Sequence, residues 1–163
     1  MRAIVFGVGI VLAAAAFAQQ PDAQAMKTFT SSSEITALIA KAKSERKNNE
    51  PNVTEPILSL APYAANLEYR ASVGPAAVHE TEAEVFYVIE GSATMITGGK
   101  LVGETRTNAA NLSGTGIEGG KSQAVAKGDF IIVPENTPHW FSAINGSVVL
   151  MTLHVPRPVP AAK

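Results

Sequence analysis

From Ile57 onward, glycine, proline and asparagine cut the chain into short apolar pieces, and a chain punctuated this often folds as strands. The pieces are "ILSLAPYAANLEYRAS", "EVFYVIEG", "ATMITGG", "SQAVAKGD", "FIIVPE", "HWFSAING" and "SVVLMTLHV". Their spacing predicts an all-β sandwich or barrel and argues against alternating β/α units. One stretch departs from the pattern. "GKLVGETRTNAANLSGTGIEGGKSQ" is rich in glycine and asparagine and nearly free of large apolar residues. Its length predicts an extended hairpin or a lid over a pocket mouth.

Upstream, "SSSEITALIAKAKSERK" predicts one short amphipathic helix. Ser31 followed by Glu34 fits a capping box, and Ile35, Leu38, Ile39 and Ala42 fall on one face. Lysines and an arginine late in the segment suit the helix C-terminus, and the prolines and asparagines of "NNEPNVTEP" end it. Before the helix, Met1-Arg2 and an unbroken apolar run from Ala3 to Ala18 close on Ala16-Phe17-Ala18. That pattern predicts an export signal and a periplasmic or secreted protein. Ala23-Gln24-Ala25 offers a second small-residue site. The run is marginal for a hydrocarbon core of ~30 Å, so a membrane partner is expected only if the signal stays uncleaved. The expected organisation is a signal peptide over 1–18, a polar leader and helix over 19–56, a β-barrel over 57–155 and a tail over 156–163.

The chain has no cysteine, so an exported fold must rest on its core or on a metal. Its 13 basic side chains stand against 14 acidic ones, without a lysine or arginine cluster, and nucleic acid is not an expected partner. Barrels of this kind can pair to protect exposed sheet edges, which makes a homodimer an open expectation.

Two stretches carry the candidate chemistry. In "VHETEAEVFYVIEG", strand alternation places Glu84, Phe86 and Val88 on one face and Val85, Tyr87 and Ile89 on the other. A turn at "ETEA" would let His79 and Glu84 converge from adjoining strands, although a charged hairpin with a solvated histidine has the same spacing. "KGDFIIVPENTPHWF" runs from Gly128 through an apolar strand and a proline-bounded turn to His139, with Phe141 on the same face as His139. Two imidazoles and one carboxylate meeting at a point would hold a divalent metal and leave positions open for water or substrate. Phe86 and Phe141 are the candidate apolar lining. His154 reads as a strand-end residue near the surface, and Glu80 and Glu82 read as solvated.

These residues carry a resemblance. "H-x4-E-x6-G" (His79, Glu84, Gly91) is similar to the second half of the first cupin motif, and "G-x5-P-x4-H" (Gly128, Pro134, His139) to the second. The resemblance covers roughly residues 57 to 155 and implies a cupin-type jelly-roll barrel. It implies one divalent transition metal (iron, manganese, zinc, nickel or copper) held by His79, Glu84 and His139, and a small-molecule ligand or substrate. A mononuclear enzyme of dioxygenase, isomerase or lyase class fits it, as does a non-catalytic sugar- or small-molecule-binding barrel or a degenerate structural cupin. Ala77 stands where the first motif has another histidine, Ala71 where it has its leading glycine, and Asn136 and Ala143 replace a glycine and an asparagine of the second. Glu80 and Glu82 are the nearest substitutes for the missing histidine, but neither shares the strand position of Ala77.

Overall fold

The structure is a computed structural model that describes residues 26–157, so the expected signal peptide and most of the tail lie outside the described residues. It is all-β with one helix. Helix α1 (Ser32–Glu45) begins at Ser31, whose hydroxyl accepts from the Glu34 amide while the Glu34 carboxylate accepts from the Ser31 amide. This reciprocal cap is the one the sequence predicts. Ile39 and Ala42 are buried, with Ile35 and Leu38 packed beside them.

The strands are β1 (Asn52–Leu60), β2 (Tyr63–Arg70), β3 (Ala76–His79), β4 (Glu82–Thr97), β5 (Lys100–Val102), β6 (Thr105–Arg106), β7 (Asn111–Gly114), β8 (Gly116–Glu118), β9 (Lys121–Ala126), β10 (Phe130–Val133) and β11 (His139–Pro156). Nine of them form one sheet, ordered β1-β2-β11-β3-β7-β6, with β4 joining β11 to β9 and β10; β5 and β8 form a separate ribbon. The sheet does not close. Strand β1 starts at Asn52 and so takes in Pro56, which the sequence assigned to the helix-ending loop. An edge strand tolerates a proline, and the β1/β2 register shifts just after it, between Pro56 and Leu58.

Four of the expected short strands are two long ones. "EVFYVIEG" and "ATMITGG" are continuous in β4, and "HWFSAING" and "SVVLMTLHV" are continuous in β11. The two run antiparallel along their whole lengths, from His139 opposite Thr97 to Pro156 opposite Glu82. Gly91 bends β4 without ending it. Its φ is +79°, and a β-carbon there would lie 2.0 Å from the Ser147 carbonyl oxygen of β11, so only glycine permits the approach. Register shifts between Phe141 and Ala143, Ile144 and Val148, and Val149 and Leu150 mark the bend in β11.

The sheet has an apolar cluster on each face. Phe86, Val88, Ala93, Met95, Val125, Val133, Phe141, Val148 and Leu150 fill the interior. Ile57, Ala65, Leu67 and Val149 face the other way and pack under Ile39 and Ala42 of α1. Each fully buried leucine or valine stabilises the fold by about 1.5–3 kcal/mol. The helix thus covers the outer face of β1 and β2, and the interior is left to the site.

Candidate metal centre

All three histidines of the chain surround one carboxylate. Glu84 opens the inward row of β4, followed by Phe86 and Val88, and all three are buried while Val85, Tyr87 and Ile89 are only partly so. The alternation read from the sequence holds here. Glu80 and Thr81 form the bend between β3 and β4, and it brings His79 back onto Glu84, Nε2 to Oε2 3.2 Å. His139 opens β11 and meets the same oxygen with its Nε2 at 3.0 Å. His154, near the far end of β11, is the register partner of Glu84 and places its Nε2 3.5 Å from Oε1.

His154 corrects the sequence reading, which left it near the surface. Fifteen positions separate it from His139, an odd number, and a regular strand would turn the two side chains to opposite faces. The register shifts of β11 change that parity, so Phe141 and Leu150 both point inward and His154 follows Leu150 and Thr152 to the site. Glu82 is likewise not simply solvated: its carboxylate accepts from His154 Nδ1 at 3.1 Å. Glu80 pairs with the Arg106 guanidinium through both oxygens, at 2.7 and 2.9 Å.

Each imidazole is held from behind by its Nδ1. His79 donates to Asn111 Oδ1 at 2.7 Å, His139 to the Thr137 carbonyl at 3.3 Å, and His154 to Glu82. With Nδ1 engaged, Nε2 is the nitrogen turned to Glu84, where it donates while protonated and would offer its lone pair to a metal once that proton leaves. Asn111 belongs to the glycine- and asparagine-rich stretch, which is no lid in this structure. The stretch folds into β5 to β8, and β7 pairs with β3 so that Asn111 lies opposite His79. The sequence reading named the stretch but not Asn111 itself as part of the site.

The two motif regions are tied by backbone. Asn136 has a φ of +56°, a left-handed conformation that asparagine adopts more readily than most residues, and its amide donates to the His79 carbonyl at 2.7 Å. This is the position where Asn136 replaces a glycine of the resembled motif, and the replacement keeps the turn. Phe86 meets the His139 ring edge-on at 5.9 Å and Phe141 at 5.5 Å, so the expected apolar lining forms a wall behind the cluster.

Burial opposes the charge on Glu84, but hydrogen bonds from His139 and His79 outweigh it and hold the carboxyl well below the usual range. Burial would likewise lower His79; the Glu84 and Asn111 hydrogen bonds prevail and raise it above 6.5. The distances from the imidazoles to Glu84 are in the range of neighbouring metal ligands, and the donor group that converges is His79, Glu84 and His154, without His139. With bonds of about 2.1 Å, neighbouring ligand atoms lie about 3.0 Å apart in an octahedron and about 3.4 Å in a tetrahedron. The observed separations of 3.2, 3.0 and 3.5 Å span those two values. Donor atoms of His79, Glu84 and His154 all lie within 4.8 Å of one another.

Fold and cluster together define an all-β chain built around an imidazole–carboxylate site. A cupin family model matches residues 48–158, and the chain belongs to the cupin family. A search of curated proteins finds no match. Among solved structures, the chain is similar to TT1209 from Thermus thermophilus at 18% identity, covering 74% of this chain and 95% of that one, with a TM-score of 0.50. The iron(II) form of HppE matches at 18% identity over 67% of this chain and 53% of its own, with a TM-score of 0.51. KdgF from Halomonas sp. matches at 16% identity over 69% and 87%, with a TM-score of 0.50. At these identities the likeness is one of fold.

Proposed function

We propose that this cupin is a metal-dependent enzyme acting on a small molecule, with one divalent transition metal held by the Nε2 atoms of His79, His139 and His154 and the carboxylate of Glu84. One observation carries the proposal: three imidazoles turn the same nitrogen toward one buried carboxylate while their other nitrogens are each engaged elsewhere. A structural histidine needs no such arrangement. The ligand set exceeds the expected His79, Glu84 and His139 by His154, which stands in for the histidine missing at position 77. When bound, the metal supplies a Lewis acid for an oxygen-bearing substrate. Glu84 contributes the negative charge, Asn111, Thr137 and Glu82 orient the rings, and Phe86 and Phe141 exclude water from behind.

Metal content tests this. The chain is purified from its native export route without chelator and assayed by mass spectrometry beside His139→Ala, with iron loaded first because the HppE match is an iron(II) structure. About one metal per chain, lost in the variant, is expected. No metal after loading with iron, manganese, zinc, nickel and copper would sink the proposal. Export is proposed as well, and the intact mass of the same preparation reports it through cleavage after Ala18.

A further inference from the structure

Strand β10 has a free side: among the described residues it pairs with β4 alone. Hydrogen bonds at its start fix which groups that side presents. The Gly128 amide donates to the Val88 carbonyl at 2.9 Å, and the Val88 amide donates to the Asp129 carbonyl at 3.0 Å. This bulge turns the Asp129 carbonyl toward β4. Backbone groups alternate from there, so those of Ile131 and Val133 meet β4, while the amides and carbonyls of Phe130 and Ile132 line the free edge. The side chains of these same two residues stand on the outer face, 68% and 65% exposed, with the Phe130 ring 5.2 Å from that of Tyr87. Helix α1 covers this face over β1 and β2 and leaves β10 bare. An edge that combines unpaired backbone groups with large apolar side chains is a template for another strand.

We propose that this edge takes β10 of a second copy of the chain, antiparallel, about a two-fold axis through Ile131. Symmetric pairings centred on Phe130, Ile131 or Ile132 all set free-edge groups opposite each other, and charge selects among them. Centring on Ile132 sets Asp129 against Glu135 of the second copy, a repulsive pair. Centring on Phe130 sets Lys127 against Val133 and Asp129 against Ile131, with no charge facing either. Centring on Ile131 brings Lys127 toward Glu135 of the second copy, and symmetry repeats the pair. The same register sets Phe130 opposite Ile132 of the second copy, an aromatic–β-branched pair that also occurs twice. Pro134 falls opposite Gly128 and, having no amide, ends the ladder. One short strand and two large side chains per copy lie at or below the low end of stable interfaces, about 1,200 Å², so the dimer forms at about 100 μM and not at nanomolar concentration. Val133 is the register partner of Glu84, and the pairing therefore braces the strand beside the buried carboxylate.

Sedimentation equilibrium of the purified protein, run from about 5 to 500 μM to bracket that affinity, is the test, with thermal melts as the check on folding. Wild type is expected to pass from monomer to dimer across the range. Ile132→Lys puts a charge on a side chain that is already solvated, so Tm should hold while dimer affinity falls about tenfold or more. Lys127→Glu should weaken the dimer as well, and Lys127→Glu combined with Glu135→Lys should recover it, because the pair is restored with its signs exchanged. A wild type that stays monomeric throughout overturns the proposal, and so does a dimer that Ile132→Lys leaves intact. A protein that dimerises only after removal of residues 158–163 would assign the edge to the chain's own tail and overturns it too. Loss in Lys127→Glu that the exchanged pair does not recover overturns the register centred on Ile131.

Discussion

Two of the three buried glutamates, Glu55 and Glu84, stand on opposite faces of the same sheet, and they are neutralised differently. Glu55 lies on the outer face, under α1, and is 5% exposed. Its partner is Lys41 of the helix, Nζ to Oε2 2.8 Å, a half-exposed side chain whose charge stays in water. Glu84 lies on the inner face, is 4% exposed, and has no lysine or arginine within ion-pairing distance among the described residues. Its partners are three imidazoles, which can be cations, hydrogen-bond donors or metal ligands depending on what else is present. Burial of a carboxylate therefore says little about function. The chemistry of what faces it says much more: a lysine pins a helix to a sheet, while three oriented imidazoles make the site proposed to exchange protons for a metal ion.

The sharpest way to break this comparison is to make the same isosteric change at both positions. Glu84→Gln keeps the shape and removes the anionic donor, so metal affinity is expected to fall about a hundredfold or more, since changes even to outer partners of a metal typically cost 10–100-fold. Glu55→Gln is expected to leave metal affinity unchanged and to loosen the docking of α1, seen as a lower Tm. Isothermal titration with the metal found in the purified protein, together with thermal melts, distinguishes the two. Equal metal binding by Glu84→Gln and wild type would make the inner glutamate no different in kind from the outer one.

A smaller effect tests how the rings are held. Asn111→Ala removes the acceptor for His79 Nδ1 and frees the ring to turn, without touching any proposed ligand. Metal affinity is expected to fall about tenfold, and Asn111→Asp, which keeps an acceptor, to recover most of it. No loss in the alanine variant would show that packing alone orients His79.

Much of the inner face was legible in the sequence and part of it was not, for reasons that trace to strand geometry. Glu84, Phe86 and Val88, and His139 with Phe141, lie within regular stretches of strand, where a period of two assigns faces correctly. The helix cap at Ser31 and Glu34 is equally local. His154 was missed because its face depends on register shifts between residues 141 and 150, which no alternation rule applied from His139 can count. Gly91 looked like the end of a strand, yet it is the point where a continuing strand passes close to another backbone. Asn111 was hidden because a segment poor in apolar residues gives no strand signal, and its pairing with β3 is fixed by a partner 32 residues earlier. What the sequence withheld was long-range register, and the site depends on it in two places.

The smallest expected effect is the pH dependence of the metal-free protein, and it tests the inner glutamate without changing a ligand's shape. Glu84 has a lowered pKa when folded, so its stabilisation is present above about 4.5, the unfolded value, and is lost as pH falls through the lower folded value. His79 has a raised pKa when folded, so its stabilisation is complete below 6.5 and is lost as pH rises through the higher folded value. The two contributions coincide between about pH 4.5 and 6.5, where imidazolium faces carboxylate. Metal-free protein is expected to show its best thermal stability in that window, and Glu84→Gln to flatten the profile there. Added metal should shift the optimum upward, because it must displace the proton that the raised His79 pKa retains. A wild-type profile unchanged by Glu84→Gln would mean that the imidazoles contribute nothing to the buried charge, and the difference between the inner and outer faces would then rest on packing alone.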